Sequence, residues 1–379
     1  MEKFYKTPLV QLIEYFNLSD LLSISKINKY FKLFLYDNAH PKFKISSKTI
    51  EKGCRLLKTF KKPQFIFDDD FCNIIDDEIM QFSGIIELKL YFKSKVSDIA
   101  LSSLTNLQKL YLHDDILITD QSIKKLTNLN SLEIINCSAI TSDSIRKLTN
   151  LTSLILFNND HITDYGLKRL INLKKLSIKR YDSVTADHIT RNDNITNNSI
   201  AKLINLNSLE LYGIFGITND VFKNLPMLRH FEIGFNDFIN DDCCGDIMNL
   251  TSLDLSCSNH ITDVGLQTLT NLIKLNLGGN EEITDVSVKK LTNLTSLDLY
   301  GNNIITNNGI MNLTNLTNLD MTYCENISVT IVDSLTKLET LGIVSNDNWG
   351  EDESANIFTD VMLNKLRIDR NVNVNIYYG

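Results

Sequence analysis

Large apolar residues recur along this chain at a fixed interval. The string Leu-Thr-Asn-Leu occurs in six repeats, where it is followed by x-x-Leu-x-Leu or by the same pattern with Ile or Met at the last position, so that apolar and polar positions alternate. Alternation with a period of two predicts a β-strand. The central apolar residue of this strand advances by 22 residues at every step but one, which is 33, and it falls at Leu88, Leu110, Leu132, Leu154, Leu176, Leu209, Phe231, Leu253, Leu275, Leu297, Leu319 and Leu341.

A second apolar signal follows each predicted strand. Ile-Thr-Asp stands at residues 118–120, 162–164, 261–263 and 283–285, and Ile-Thr-Asn or a close variant fills the same place in other repeats. Thr and Asp are favoured at helix N-caps, and apolar residues such as Leu167, Leu170 and Leu173 then mark the inward side of a short helical segment. Each repeat is therefore predicted to be a strand, a turn and a short helix. One repeat cannot bury its own apolar edge, so the repeats must stack.

The repeat pattern resembles the leucine-rich repeat, whose signature Leu-x-x-Leu-x-Leu-x-x-Asn/Cys is matched by Leu151, Leu154, Leu156 and Asn159. This resemblance implies an α/β solenoid of about 14 repeats of 22 residues, shaped as a horseshoe with parallel strands on its concave face. The solenoid is expected to span residues 62–379. Side chains in the Asn/Cys column turn inward, so burial is expected for Asn236, Asn280, Asn302, Asn346, Cys137 and Cys324.

Two repeats carry extra residues between strand and helix. One insertion covers residues 181–194 and the other residues 347–357, and both leave from the same edge of the predicted horseshoe. Insertions in repeat proteins often line a binding face. The second insertion holds the single tryptophan, Trp349, among acidic residues. Trp349 is a candidate contact anchor for a partner, or it folds back to cover the last repeat.

The chain before the repeats follows a different pattern. Apolar residues with helical spacing begin at Pro8, and a second helix is predicted after Ser19 and Asp20. Residues 1–45 are too few for an independent core, so this helical segment is expected to dock on the first repeat or on a partner protein. Residues 46–61 would form a linker or an N-terminal cap.

This helical segment resembles an F-box: Pro8 is followed by Phe16 and then by the stretch Asp20 to Phe31, although Thr7 replaces the usual Leu before the proline. The signature Ile-Thr-Asp-x-Gly-Leu, at 162–167 and 261–266, is similar to the repeats of F-box proteins with leucine-rich repeats. The resemblance implies a substrate receptor of a cullin-type ubiquitin ligase, itself not an enzyme. A Skp-family adaptor would then bind through Pro8, Leu9, Leu12, Ile13, Phe16, Leu21, Leu22, Ile27 and Phe31.

Two other functions remain open at this point. The chain could be a plain repeat scaffold in which the N-terminal helices only cap the array. It could also be a repeat-built inhibitor that blocks a target by binding alone. Both alternatives, like the ligase receptor, predict that the chain binds a protein partner.

Composition and charge bear on which classes of partner and cofactor are expected. Lys and Arg number 38 against 46 Asp and Glu, which gives a net charge of -8, so no nucleic-acid partner is expected. No signal peptide and no membrane segment is found in the sequence, and seven cysteines without paired spacing fit a reducing compartment, cytoplasmic or nuclear. The sequence has no His-x-x-x-His pair, no zinc-ligand spacing and no glycine-rich phosphate loop. We therefore expect no catalytic site, no metal and no cofactor.

The predicted strands also place side chains on the concave face. Between the two strand leucines, five of six successive repeats carry an acid: Glu210, Glu232, Asp254, Asp298 and Asp320. A partner with a basic segment is predicted to lie along this column, although simple solubility would also explain these acids. Aromatic contact area would come from Tyr212 and Tyr300, with Tyr111 and Phe157 in the N-terminal half.

Overall fold

The computed structural model describes residues 42–45, 64–68, 75–82, 84–92, 94–114, 117–180, 194–256, 258–345 and 371–378. The chain divides into two compact units between Asn172 and Leu173. Each unit is a series of repeats in which a short strand leads through a turn into a single helical turn. The expected F-box segment up to residue 41, both insertions, Asn346 and Trp349 lie outside the described residues, apart from Asn194.

The described residues of the first unit form six parallel strands that pair in chain order. They are β1 (Lys42–Ile45), β2 (Gln64–Asp68), β3 (Ile85–Leu90), β4 (Lys109–His113), β5 (Ser131–Ile135) and β6 (Ser153–Phe157). Its helices are α1 (Asp76–Ile79), α2 (Asp98–Ser103), α3 (Asp120–Ile123), α4 (Ser142–Ile145) and α5 (Asp164–Leu167).

In the part of the second unit that the structure describes there are nine parallel strands, again in chain order. They are β7 (Lys175–Lys179), β8 (Ser208–Tyr212), β9 (His230–Gly234), β10 (Ser252–Asp254), β11 (Lys274–Asn276), β12 (Ser296–Asp298), β13 (Asn318–Asp320), β14 (Thr340–Ser345) and β15 (Asn373–Tyr378). Its α-helices are α6 (Asn197–Ile200), α7 (Asp263–Leu266), α8 (Asp285–Val288) and α9 (Asn307–Ile310), and 3₁₀ helices cover Asn219–Asn224, Asp241–Cys243 and Val329–Asp333.

The strand register confirms the predicted repeat. Leu110 pairs with Leu132, 22 residues later, and Leu176 pairs directly with Leu209 across the step of 33. The extra eleven residues of that step therefore fall outside the strands. The central strand residues from Leu88 to Leu341 are buried, so each repeat adds one apolar layer to the core of its unit. The predicted α/β leucine-rich-repeat architecture is confirmed.

One strand lies outside the predicted repeat boundary. β1 occupies residues 42–45, in the range that the sequence assigned to the helical segment, and it pairs with β2. The alternation Lys-Phe-Lys-Ile in this stretch is itself a strand pattern. The array of parallel strands thus begins before residue 62.

The recurring Thr-Asp pair does more than cap the helices. Thr284 accepts a hydrogen bond from the Val286 N–H and so caps α8 as predicted. Its own N–H and hydroxyl donate to the Asp263 carboxylate of the preceding repeat, and the N–H contact measures 3.1 Å. Burial raises the pKa of Asp263, but a hydrogen bond from the Ser287 hydroxyl, together with the bonds from Thr284, lowers it by more, so that it lies below its ordinary value. The pair therefore ties successive repeats together along the helix side.

The asparagines of the inward column form a second ladder. Asn280 is 1% exposed, and its side-chain amide donates to the carbonyls of Leu255 and Ser258, at 3.3 and 2.6 Å. Its Oδ1 accepts the N–H groups of Glu282 and Ile283. Asn159, Asn236 and Asn302 are buried with equivalent amide donations, and Cys137 and Cys324 are buried in the same column, as predicted.

Candidate partner-binding face

The second unit presents one sheet face that is not covered by its helices. Strand residues between the buried leucines are half-buried on this face, as Asp254 is between Leu253 and Leu255. Three carboxylates, Asp254, Asp298 and Asp320, lie in one register row with Asn276 between the first two. Neighbouring strands are about 4.8 Å apart, so the row is compact. We call these three aspartates the acidic strip.

The carboxylates of the acidic strip bond to their own strand ends. Oδ1 of each aspartate accepts the N–H of the residue two positions later, at 2.9 Å in all three cases, and those residues are Ser256, Tyr300 and Thr322. Asp254 Oδ2 also accepts the Asn276 amide at 2.9 Å. Within the described part of the second unit, no lysine, arginine or histidine forms an ion pair with any of the three.

Asp298 lies between Asp254 and Asp320 in this row, and its carboxyl has a raised pKa. Burial raises the pKa of its carboxyl, and the charges of Asp320 and Asp254 raise it further, against the lowering effect of the Tyr300 N–H. Like charges on adjacent strands repel. The acidic strip therefore carries negative charge that the described part of this unit does not neutralise.

Glu210 and Glu232 behave differently from the strip. Lys179 on β7 bridges them, with its Nζ 2.6 Å from Glu232 Oε1 and 3.5 Å from Glu210 Oε2, and Lys175 Nζ lies 2.7 Å from Glu210 Oε1. Burial lowers the pKa of Lys179, but the hydrogen bond and charge of Glu232, with those of Glu210, raise it by more. The column that the sequence predicts as continuous is thus divided into a neutralised end and the open acidic strip.

Exposed aromatic rings accompany both ends of this column. Tyr300 is 54% exposed and packs edge-on against Tyr323, with ring centroids 5.4 Å apart. Tyr212 packs in the same way against Phe235 at 4.8 Å, on a surface left open by Gly234, where a Cβ would lie 2.5 Å from the Tyr212 ring. The two aromatic pairs offer rigid contact area of the kind that anchors interfaces.

Sequence reasoning missed Tyr323 and Phe235. Both stand one residue beyond the outward-facing column, where the backbone is left-handed, with φ of 59° and 48°. Gly279 and Gly301 occupy the equivalent place in neighbouring repeats, since glycine adopts this conformation without strain. A bulky residue with positive φ is uncommon. The sequence signal that could have identified Phe235 and Tyr323 is therefore a large aromatic residue at a repeat position where other repeats have glycine.

The first unit carries its own predicted contact residues. Tyr111 is half-buried, with the Lys89 ammonium 5.6 Å from its ring centroid, and burial raises its pKa. In the adjacent column His113 Nε2 lies 2.8 Å from Glu133 Oε1. Phe157 is half-buried at the end of β6. These side chains stay candidate contacts of the first unit.

Neither a metal-ligating cluster nor a reactive thiol is found among the described residues. They contain no group of three or more His, Cys, Asp or Glu able to hold a metal ion. The side-chain contact with Cys244, together with burial, raises the pKa of Cys243, and burial raises that of Cys324 to about 12, so neither is a ready thiolate. Among the helices described, none has the length and apolar character needed to span a bilayer.

Comparison with protein families finds leucine-rich repeats in parts of the chain. Residues 249–291 match the family of Leucine Rich repeats (2 copies), and residues 147–170 and 290–313 match the Leucine Rich repeat family. No curated protein sequence matches the chain significantly. Leucine-rich repeats indicate a function in protein–protein interaction.

Solved structures with a similar fold include a chain of the yeast Rad7–Elc1 complex. The likeness covers 92% of this chain and 94% of that chain, at 17% identity and a TM-score of 0.53. A chain of the TLR13–ssRNA13 complex is similar over 93% of this chain, at 19% identity and a TM-score of 0.52, and this chain spans 52% of it. An internalin from Listeria monocytogenes has 23% identity over 76% of this chain and 85% of that chain, with a TM-score of 0.49. The likenesses to the Rad7–Elc1 and TLR13 chains, with TM-scores above 0.5, show a shared fold and nothing more.

Proposed function

We propose that the chain is a protein-binding adaptor and that the open sheet face of its second unit holds a basic segment of the partner. The observation that carries this proposal is the acidic strip: Asp254, Asp298 and Asp320 lie in one register row, with Asn276 between the first two, and have no cationic partner in the described part of the unit. A lysine or arginine of a partner would relieve their mutual repulsion. Tyr300 and Tyr323 beside the strip supply aromatic surface for the same side chains.

The neutralised end of the column limits where this partner lies. Glu210 and Glu232 already hold Lys175 and Lys179, so a partner cation there would have to displace an internal ion pair. The Tyr212–Phe235 pair at that end remains an apolar contact. The partner is therefore expected to place its basic residues on strands β10 to β13 and apolar residues toward β8 and β9.

A labelled basic peptide tests this part of the proposal. Its affinity for the full chain is measured by fluorescence anisotropy at low ionic strength, with the variant Asp254→Asn/Asp298→Asn/Asp320→Asn. We expect at least a tenfold loss in affinity, because all the unpaired charge of the strip is removed. A control with the same charge change uses exposed aspartates elsewhere in the unit, Asp242, Asp246 and Asp333, each changed to Asn. Equal losses in the two variants would contradict a role for the strip.

We further propose that this adaptor is the substrate receptor of a cullin-type ubiquitin ligase, with no catalytic step of its own. The F-box-like sequence from Pro8 to Phe31, followed directly by repeats with the Ile-Thr-Asp-x-Gly-Leu signature, supports this role. The yeast Rad7–Elc1 complex is a precedent for a similar fold in a complex with a second protein. The F-box-like segment would bind a Skp-family adaptor while the repeats hold the substrate.

Co-purification with a purified Skp-family adaptor tests the ligase role. The unmutated chain is expected to retain the adaptor, and the variant Pro8→Ala/Phe16→Ala is expected to lose it. The Asp254→Asn/Asp298→Asn/Asp320→Asn variant is the matched control and should retain the adaptor fully. If the unmutated chain does not capture the adaptor, the ligase role is excluded, while the peptide experiment still decides whether the repeats bind a basic partner.

A further inference from the structure

The first unit carries a cluster of cations on its helix side. The two residues that follow each of the adjacent helices α3, α4 and α5 are both basic, and α3 to α5 pack side by side. All of these side chains are exposed except that of Arg146, which is half-buried. We call this set the basic patch; it consists of Lys124, Lys125, Arg146, Lys147, Lys168 and Arg169.

The fold does not require cations at these positions. In other repeats the same two places hold Gly245 and Asp246, or Gln267 and Thr268, and the helices before them form equally well. A preference of helix ends for positive charge is therefore insufficient to explain three fully basic pairs in succession. In a chain with a net charge of -8, such a local concentration stands out from the general acidic surface.

The charge of the patch is almost unpaired. Within residues 117–180, Arg146 is the one member with an ion pair, and its Nε lies 3.7 Å from Asp143 Oδ1, beyond hydrogen-bond distance. This Nε is buried and has no hydrogen-bond partner among the described residues. A buried guanidinium N–H without a partner is costly, so the contact with Asp143 does not satisfy the hydrogen-bonding capacity of Arg146.

An aromatic ring holds two of the cations in place. Tyr165 is 43% exposed, and the Arg146 Cζ and Lys168 Nζ lie 4.7 and 5.2 Å from its ring centroid. Both distances are within the range of cation–π attraction. The ring thus holds the guanidinium and the ammonium near each other before any ligand arrives, which lowers the entropy lost on binding.

We propose that the basic patch is a docking surface for an acidic segment of a partner protein, separate from the sheet face that the proposed function uses. The planar guanidinium of Arg146 suits bidentate contact with a carboxylate, and the flanking lysines extend the positive surface over three repeats. A nucleic acid fits less well. Cations already lie over the Tyr165 ring, where a base would stack, and the net negative charge of the chain repels a long polyanion.

Fluorescence anisotropy of the full chain with a labelled Gly-Ser peptide that carries six glutamates tests the inference. In 50 mM salt we expect measurable binding that weakens as salt is added. The variant Lys124→Glu/Lys147→Glu/Lys168→Glu should bind at least tenfold more weakly. The matched control Lys202→Glu/Lys289→Glu/Lys290→Glu reverses three exposed lysines at helix ends of other repeats, and it should stay within threefold of the unmutated chain.

Three results would overturn the inference. The first is absence of binding to the glutamate peptide at low salt, and the second is an equal loss in the two triple variants. The third is tighter binding to a labelled 20-nucleotide oligo-dT than to the peptide, which would assign the patch to nucleic acid. Circular dichroism and urea unfolding of both triple variants show whether they are folded. If the charge-reversal variant of the basic patch is not folded, the milder variant Lys124→Gln/Lys147→Gln/Lys168→Gln replaces it.

Discussion

Replacing Asp298 with asparagine is expected to make the protein more stable at neutral pH. Asp298 is half-buried, burial raises the pKa of its carboxyl, and the charges of Asp320 and Asp254 act in the same direction. Asparagine removes the charge and keeps an Oδ1 that can accept the Tyr300 N–H, which lies 2.9 Å from the aspartate oxygen. The variant therefore loses the repulsion and retains the backbone bond.

The size of the gain follows from the spacing of the strands. Asp298 and Asp320 lie opposite each other on β12 and β13, about 4.8 Å apart. Two like charges at about 5 Å repel by about 0.8 kcal/mol in water and about 3 kcal/mol at an effective dielectric constant of 20. Partial exposure and salt favour the lower part of this range. We expect the free energy of unfolding of Asp298→Asn to be higher by about 0.5 to 1.5 kcal/mol.

The stability gained by Asp298→Asn is expected to depend on pH. The native pKa of Asp298 lies above that of an unfolded aspartate, about 3.9, so the native state binds more protons between the two values. Stability then falls as pH rises through the native pKa. The advantage of Asp298→Asn should be full at pH 7 and shrink toward pH 4. Urea unfolding across this range, with Asp242→Asn as an exposed control, measures it; a variant no more stable at pH 7, or an advantage independent of pH, would refute the reasoning.

Three other substitutions probe the fold and the division of the acidic column. Asn280→Ala leaves four backbone groups, three of them in buried hydrogen bonds, without their partner and should lower the free energy of unfolding by about 2 to 4 kcal/mol, whereas exposed Asn312→Ala should change it by less than about 0.5. Gly265→Ala brings a Cβ against the Asp241 carboxylate and should reduce the urea midpoint clearly, while Gly245→Ala, with nothing within 4 Å, should not. Lys179→Met removes the cation between Glu210 and Glu232 and should lower the free energy of unfolding, measured with urea, by about 1 to 2 kcal/mol. The same variant should bind the basic peptide severalfold more tightly, and unchanged peptide affinity would show that the two carboxylates play no part in binding.

Much of the fold could be predicted because one interval controls it. The strand leucines, the Thr caps and the inward asparagines each occupy a fixed place in the 22-residue repeat, and the structure pairs them in that register. The glycine of the Ile-Thr-Asp-x-Gly-Leu signature was recognised but not explained. At Gly265 a Cβ would collide with the Asp241 side chain of the preceding repeat, and where serine replaces glycine, as at Ser287, its hydroxyl donates to the equivalent aspartate.

The candidate site was less predictable because it depends on side-chain reach between repeats. Strand alternation placed Glu210 and Glu232 on the open face correctly but could not show that Lys179 extends across to both. The left-handed backbone that carries Phe235 and Tyr323 follows the strand end and has no period-two signal. Nor could the pattern reveal the basic patch, since four-residue helices are too short for their polar side to be recognised.

The cost of the acidic strip is itself an argument for its use. Solubility would be served by acids at exposed positions, such as Asp242 on the helix side, without placing three half-buried carboxylates in one row. Asn276 shows that the same strand position accepts a neutral side chain, which still receives and donates hydrogen bonds through Gly278 and Asp254. Four successive repeats with asparagine at positions 254, 276, 298 and 320 would keep the strand-end hydrogen bonds and would avoid the charge repulsion at position 298. Proteins retain a charge that destabilises the native state where binding requires that charge. The single variant Asp298→Asn tests this, because it is expected to raise the free energy of unfolding and to weaken binding of a basic peptide.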